Sequence, residues 1–440
     1  MKSELAPLLR LGTPIVLGEV GWMTMSVVDT MMVGRVSIEA LGAVSVAGIL
    51  FHFLAVFGTG LMLGLDTLVS QSFGAGKTED CHRSLWSALW ISVPLAPLLM
   101  FLQWMSIPIM EFFEVQPAVV REARPFLWAL LWSTPPLLAY SAFRRYLQGM
   151  NLVKPVMFSL ISANIINAGF NWILIYGHWG APAMGAEGSG WSTAIARVYM
   201  AAVLVFYAIW RKTGFWHSSI MPDRTRIADL LRLGFPAAMQ IVVEVGVFAL
   251  ATTVAGRLAP EYLVAHMIAL QAASISYMVP LGLGSAGAVR VGQAIGRGDF
   301  HGARVAGWSA IALGTASMGL AGVAFVAAPR WFGRLYTNDA KAIEAGVALL
   351  AWAALFQLFD GAQGVATGVL RGAGNTRIAA ITHFACYWLI GLPVGYALCF
   401  WAGWAASGLW AGLCLAIILI GIVLVWAWIR GQTPILMKQG

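Results

Sequence analysis

Two stretches of the chain lie 222 positions apart and repeat one another, and each is long and apolar enough to cross a membrane as one helix. Residues 9–35 read LRLGTPIVLGEVGWMTMSVVDTMMVGR, and residues 231–258 read LRLGFPAAMQIVVEVGVFALATTVAGRL. Leu9, Arg10, Leu11, Gly12, Pro14, Gly34 and Arg35 return as Leu231, Arg232, Leu233, Gly234, Pro236, Gly256 and Arg257. Each copy also carries acids that an apolar helix should avoid: Glu19 and Asp29 in the first, Glu244 in the second. Spanning helices that repeat and hold ionisable groups at membrane depth point to a two-lobed transporter.

The repeat continues beyond the opening helix. Gln71-Ser72-Phe73-Gly74-Ala75-Gly76 matches Gln293-Ala294-Ile295-Gly296-Arg297-Gly298 at the same offset of 222. Leu147-Gln148-Gly149 and Lys154 match Leu370-Arg371-Gly372 and Arg377 at 223, and Ser189-Gly190 matches Ser407-Gly408 at 218. Apolar periodicity predicts twelve spans, at about 11–34, 43–72, 85–110, 122–147, 153–177, 188–210, 228–255, 261–294, 303–328, 344–371, 377–400 and 404–430. The expected fold is an all-α integral membrane protein with two pseudo-symmetric six-helix lobes, residues 1–210 and 228–440, joined by a cytoplasmic linker at 211–227. Six spans per half give the halves the same orientation, as parallel repeats about an axis along the membrane normal. The second and eighth spans exceed a bilayer's thickness and should tilt or protrude. Prolines 94, 97, 135, 136, 280 and 393 should kink their helices.

Composition agrees. The chain is 60% hydrophobic and 10% charged, with a mean hydropathy of +0.78, whereas about a quarter of the residues of a soluble domain are charged. The short polar start leads into a full-length helix without a small-residue cleavage site, so the first span itself should act as the insertion signal. Cys81, Cys386, Cys399 and Cys414 have no metal-ligand spacing, and the three within apolar segments read as small core residues, so disulfides are not expected. The net charge of +8 implies cytoplasmic loops, not nucleic acid. Seven of the 27 Lys and Arg residues fall on one side of the predicted spans: Arg35, Arg121, Arg124, Arg257, Arg330, Arg334 and Lys341. Arg197 and Arg290 lie inside segments, and the remaining eighteen fall on the other side. That bias places both termini in the cytoplasm. Gly74-Ala75-Gly76-Lys77 lacks the strand and the spacing of a phosphate loop and reads as a helix stop.

A charge at the bilayer centre costs about 2.5–3.5 kcal/mol on the mildest scale, so Asp29 should face the bundle interior with partners. Asn164, Asn167 and Asn171, at i, i+3 and i+7 in the fifth span, place three amides on one helical face. With Asp29 and a hydroxyl such as Thr193, they would make either a hard-oxygen Na⁺ site or a proton-binding carboxylate with hydrogen-bonding neighbours. Amides that merely join helices are the plain alternative. In the second half Glu244 follows Gln240 by one turn, and Asp360 lies between Gln357 and Gln363. Both acids should be buried, with Arg290 as a counter-charge or as half of a purely structural pair. Glu19 and Asp66 are weaker candidates, and Asp66 could simply order a helix contact. His266 and His383 read as satisfied core residues rather than proton relays, and the seven histidines form no metal or catalytic cluster. Nucleophile-elbow, P-loop and zinc motifs are lacking, so an enzyme is not expected. Most of the twenty tryptophans and twenty-two phenylalanines should meet lipid or the interface, and some could line a pocket for flat organic cations.

These residues together resemble the multidrug and toxic compound extrusion (MATE) family, in particular its NorM-like branch. The resemblance rests on G-x-P…V-D-T-x-x-V-G-R at residues 12–35, D-T-L-V-S-Q-S-F-G-A-G at 66–76 and L-Q-G at 147–149. It also rests on Asn167-x-x-x-Asn171 before Ile175-Tyr176-Gly177, V-R-V-G-Q-A-I-G at 289–296, and D-G-x-Q…G-V-L-R-G-A-G-N-T-R at 360–377. It implies two six-helix lobes around a cleft that opens alternately to each side. It further implies efflux of varied cationic, amphipathic compounds in exchange for Na⁺ or H⁺ across a bacterial inner (plasma) membrane. By motif, Asp29, Asn167, Asn171 and Thr193 correspond to the first lobe's cation site, with Na⁺ at Asp29, Asn167 and Asn171, while Glu244 and Asp360 correspond to the second lobe's substrate and proton site. Phe356 stands where NorM-like members often carry tyrosine, which puts a second-lobe Na⁺ site in doubt. The expected partners are small-molecule substrates and membrane lipid, with no cofactor beyond the coupling ion and with the protein a monomer. A lipid-linked precursor flippase of the same superfamily is the alternative, but it usually has two further helices and a strongly cationic cavity.

Overall fold

A computed structural model describes residues 2–211 and 213–431, with side chains from Glu4 onward. The last nine positions of the expected second lobe, with the C-terminus, and Lys212 of the expected linker lie outside the described residues. The helices are α1 (Lys2–Val33), α2 (Ile38–Leu61), α3 (Gly64–Gly74), α4 (Thr78–Trp104), α5 (Ser106–Phe112), α6 (Pro117–Leu131), α7 (Thr134–Gly149), α8 (Lys154–Tyr176) and α9 (Ala186–Trp210). They continue as α10 (Arg224–Ala255), α11 (Pro260–Gly296), α12 (Phe300–Ala327), α13 (Pro329–Arg334), α14 (Ala340–Gly372), α15 (Arg377–Phe384), α16 (Leu392–Phe400) and α17 (Ala405–Gly431). No strand occurs among the described residues.

Eleven stretches are long and apolar enough to span a membrane. The twelfth expected span, at 122–147, is the pair α6–α7, interrupted at Trp132-Ser133 just before Pro135-Pro136. Two adjacent prolines remove two amide donors, so the break falls where the i→i−4 ladder cannot be completed. Pro94, Pro97 and Pro280 are instead carried inside continuous helices. Pro393 follows a π-helical turn at Ala385–Gly391, a widening that often accompanies a bend. Leu320, Val323, Val326, Phe206 and Ile422 are exposed, an arrangement that suits a lipid solvent.

The chain forms two compact units, Leu17–Ala238 and Met1–Val16 with Met239–Gly440. Their boundaries fall inside α1 and α10, so the start of each repeat-opening helix belongs with the helices of the other repeat. In the first unit a Cβ on Gly234 would sit 2.1 Å from the Leu61 carbonyl oxygen. In the second, a Cβ on Gly12 would meet the Leu283 side chain at 3.0 Å, and one on Gly282 would meet Val16 at 2.5 Å. Gly12 and Gly234 are repeat equivalents, as are Leu61 and Leu283. Small residues at these crossings let backbones approach closely, which is how helices gain contact when lipid supplies no hydrophobic driving force.

The core of the first unit includes Leu61, Met62, Leu65, Leu85, Tyr146, Phe215 and Leu230, with a second cluster around Phe51, Ile107, Phe126 and Ile175. The polar linker docks on this unit. Trp86 and Trp90 of α4 donate to the carbonyls of Phe215 and Ile220 at 3.1 and 2.7 Å, and Arg226 pairs with Asp80 at 2.8 Å. In the second unit α14 presses on α11. A Cβ on Gly368 or Gly372 would lie 2.2 Å from the carbonyl oxygen of Gly284 or Ala288.

Candidate functional site

Each unit contains a polar cluster among apolar helices. In the first, Asp29 of α1 meets α8 and α9. Asn171 Nδ2 donates to Asp29 Oδ1 at 2.6 Å and to Asn167 Oδ1 at 3.2 Å, and the Thr193 hydroxyl donates to Asp29 Oδ2 at 3.1 Å. Asn167 and Asn171 are fully buried, yet Asn171 Oδ1 and Asn167 Nδ2 have no hydrogen-bond partner. Leaving such groups unmade costs about 1–3 kcal/mol each, which is affordable where a ligand supplies the missing contact. Carboxylate, amide and hydroxyl oxygens make a hard donor set suited to Na⁺, and the same carboxylate could carry a proton.

The structure brings together Asp29, Asn167, Asn171 and Thr193, the four residues expected to meet in the first lobe. Asn164 does not join them: its amide donates to the carbonyls of Gly21 and Leu160 at 3.0 and 2.9 Å, tying α8 to α1. Arg197 was not foreseen as a member. It lies one turn after Thr193 on α9, donates to Ser133 Oγ at 2.5 Å, and acts electrostatically on Asp29. Its guanidinium lies 5.0 Å from the Phe51 ring centre, within cation–π range. The spacing Thr193-x-x-x-Arg197 was the available signal.

Glu19 and Asp66 stand apart from this cluster. Glu19 pairs with Arg144 of α7, both buried, and Asp66 lies 3.5 Å from Arg145 Nη1. Arg290 does not serve as a counter-charge to Glu244 or Asp360. Glu4, in the first turn of α1, binds it through two guanidinium nitrogens at 2.7–3.2 Å.

The second unit gathers Glu244 from α10, Tyr277 from α11, Asp360 and Gln363 from α14, and His383 from α15. Gln240 Nε2 donates to Glu244 Oε2 at 2.8 Å, and the Tyr277 hydroxyl also reaches that carboxylate. Gln363 Nε2 donates to Asp360 Oδ1 at 3.0 Å, while its Oε1 lies 3.0 Å from His383 Nε2. His383 Nε2 is 3.9 Å from Glu244 Oε2. Phe356 stacks on Trp410, with ring centres 5.9 Å apart. Trp410 Nε1 donates to His266 Nδ1 at 3.0 Å, and His266 Nε2 meets the Thr252 hydroxyl at 3.0 Å. His266 is thus a satisfied core histidine, whereas His383 sits among the acids.

The MatE family model matches residues 14–173 and 236–397, one copy in each half of the chain. The chain belongs to the MatE family. It is 34% identical over 444 aligned residues to the probable multidrug resistance protein NorM of Brucella suis, covering 97% of this chain and 93% of that protein. Its identity to the multidrug resistance protein NorM of Vibrio cholerae is 32%, covering 97% of this chain and 96% of that one. Among solved structures, the eukaryotic MATE transporter AtDTX14 aligns with a TM-score of 0.86 at 22% identity over 99% of each chain. A MOP superfamily transporter from Pyrococcus furiosus aligns at 0.87 and 16% identity, covering 97% of this chain and 96% of that one. At such identities the structural likeness carries the fold. It agrees with an all-α MatE membrane protein of twelve spans, six in each half.

Proposed function

We propose that this MatE chain is a multidrug efflux antiporter of a bacterial inner membrane. It exports cationic, amphipathic organic compounds by alternating access, in exchange for Na⁺ or H⁺, with both termini in the cytoplasm. The two compact units act as its lobes.

The Asp29 cluster carries the reading. A carboxylate at membrane depth is held by Asn171 and Thr193, and beside it are buried amide atoms without partners. The carboxylate sets this cluster apart from the Asn164 contact, whose Oδ1 also lacks a partner but which brings no acid to the helix crossing. In the other unit Glu244 and Asp360 provide negative charge to attract an organic cation and to exchange it for protons. Vesicles loaded with the protein, given Na⁺ and pH gradients separately, test the proposal with ethidium as probe. Ethidium movement against its own gradient under either driving force supports it, and movement under neither refutes it.

A further inference from the structure

The contacts of His383 contain more hydrogen bonds than its neutral form can satisfy. Its Nδ1 lies 2.7 Å from the Ala379 carbonyl oxygen, which can only accept, so Nδ1 carries a hydrogen. In a neutral imidazole Nε2 is then a bare acceptor. Yet Nε2 faces Gln363 Oε1, another acceptor, at 3.0 Å. Turning the Gln363 amide over, an exchange of oxygen and nitrogen that side-chain shape alone does not distinguish, cures this contact and moves the conflict elsewhere. The amide oxygen would then face Asp360 Oδ1, also at 3.0 Å. The other neutral tautomer only sets the Nδ1 lone pair against the Ala379 carbonyl.

One added proton resolves every arrangement, and it can do so in two places. With the amide nitrogen toward Asp360, the proton sits on His383 Nε2 and is donated to Gln363 Oε1, while Gln363 Nε2 donates to ionised Asp360. With the amide turned, the proton sits on Asp360 and is donated to Gln363 Oε1, while Gln363 Nε2 donates to neutral His383. The proton count is the same in both, so turning the amide moves the proton between imidazole and carboxylate without gain or loss. Removing it leaves two acceptors face to face at one end of Gln363, in a site where Gln363 and His383 are fully buried and water cannot repair the loss.

We infer that Asp360, Gln363 and His383 form a single proton-binding site in which one proton is shared, across the Gln363 amide, between the carboxylate and the imidazole. The titratable groups facing it are Glu244 of α10, Tyr277 of α11 and Tyr387 of the π-helical turn, whose hydroxyl has no partner. Glu244, 3.9 Å from His383 Nε2, is the counter-ion of the imidazolium form. The inference deepens the proposed proton exchange by naming the atoms that hold the proton: an arriving organic cation that attracts the Asp360 carboxylate strips Gln363 of one partner and releases the shared proton.

Infrared difference spectra of the purified full-length protein, recorded across a pH titration, test this. The wild type should show one protonation step in the carboxyl or imidazolium bands that Asp360→Asn abolishes. His383→Leu removes one end of the relay, after which ionised Asp360 keeps a good partner in the Gln363 amide and the protonated state keeps no extra one. The step should therefore move to lower pH by about one unit, the equivalent of one hydrogen bond. Gln363→Met leaves both titrating groups but removes the amide that joins them, so the single step should give way to separate carboxylate and imidazole steps away from the wild-type midpoint, a second test should His383→Leu fail to insert. An unmoved midpoint in either variant, or a wild type without the step, overturns the inference. Efflux does not enter this readout. A protein that shows the step but exports nothing would retain the shared proton and lose the proposed function, and an exporter without the step would do the reverse.

Discussion

Thr193 donates its hydroxyl to the Asp29 carboxylate at 3.1 Å across 164 positions of sequence, and one turn further along the same helix stands Arg197. Asp29 thus has a hydroxyl donor and a resident cation on one side and the Asn171 amide on the other. A cation placed at Asp29 would meet the opposing field of Arg197.

Asp29→Asn should abolish gradient-driven ethidium efflux while leaving membrane insertion intact. Asn171→Ala removes a neutral ligand and one charge-assisted bond worth about 1.5–3 kcal/mol, so it should weaken efflux without ending it. Full efflux by Asp29→Asn in the vesicle assay would show that the carboxylate is structural.

Removing the internal competitor should have the opposite sign. Arg197→Gln is expected to lower the Na⁺ concentration that half-saturates efflux, because the field opposing a cation at Asp29 is reduced. Na⁺ titrations of the variant in vesicles check this, and an unchanged or raised half-saturation would remove Arg197 from the coupling scheme.

In the other unit, Glu244→Gln should diminish the response to a pH gradient more than the response to a Na⁺ gradient. Phe356 supplies no hydroxyl there and is occupied by Trp410, while a second acid, Asp360, and the His383 imidazole stand beside Glu244 as groups that can hold a proton. A variant following both gradients as the wild type does would mean that the acids of the two units are not divided in this way.

The Glu19–Arg144 pair is expected to be structural. Its side chains are 10% and 9% exposed, so Arg144→Met, which leaves a buried carboxylate alone, should cost about 3–5 kcal/mol. The double substitution Glu19→Leu with Arg144→Met should recover most of that. Thermal unfolding in detergent reads both. Equal losses in the single and double variants would contradict a mutually compensating pair.

Gly368→Ala adds a methyl group 2.2 Å from the Gly284 carbonyl oxygen. Both partners are backbone on packed helices, so the crossing must open, at a cost of about 1–3 kcal/mol. A variant with wild-type thermal stability would show that α14 shifts freely against α11.

The spans and the first polar cluster were legible in the sequence for the same reason: against an apolar background, every polar residue stands out. Periodicity located twelve segments, and Asp29, Asn167, Asn171 and Thr193 met as expected. Lateral register is a different matter, since it depends on how helices far apart in the chain lean on each other. Arg290 was assigned to acids of its own half by sign of charge, but Glu4, 286 positions earlier, reaches it first. Asn164 shares a helical face with Asn167 and Asn171, yet its depth sets it against the Gly21 carbonyl. His383 read as core because a histidine's role is fixed by which atoms accept and which donate around it, and no spacing rule contains that. The repeat revealed which residues are equivalent, and left open which copy each one packs against.

Gly12 seats on α11 at Leu283 and Gly234 on the end of α2 at Leu61, each on a helix of the opposite repeat. A lone six-helix copy would present that seat uncovered while its own opening segment dangled. Two such copies would complete one another only by trading arms, as a swapped dimer does. Tethering them in one polypeptide makes the trade intramolecular and raises the effective concentration of each arm at its seat. The fused chain is, in this respect, an exchanged homodimer made permanent by its linker, and severing it in the middle would cost each half the arm that the other now lends.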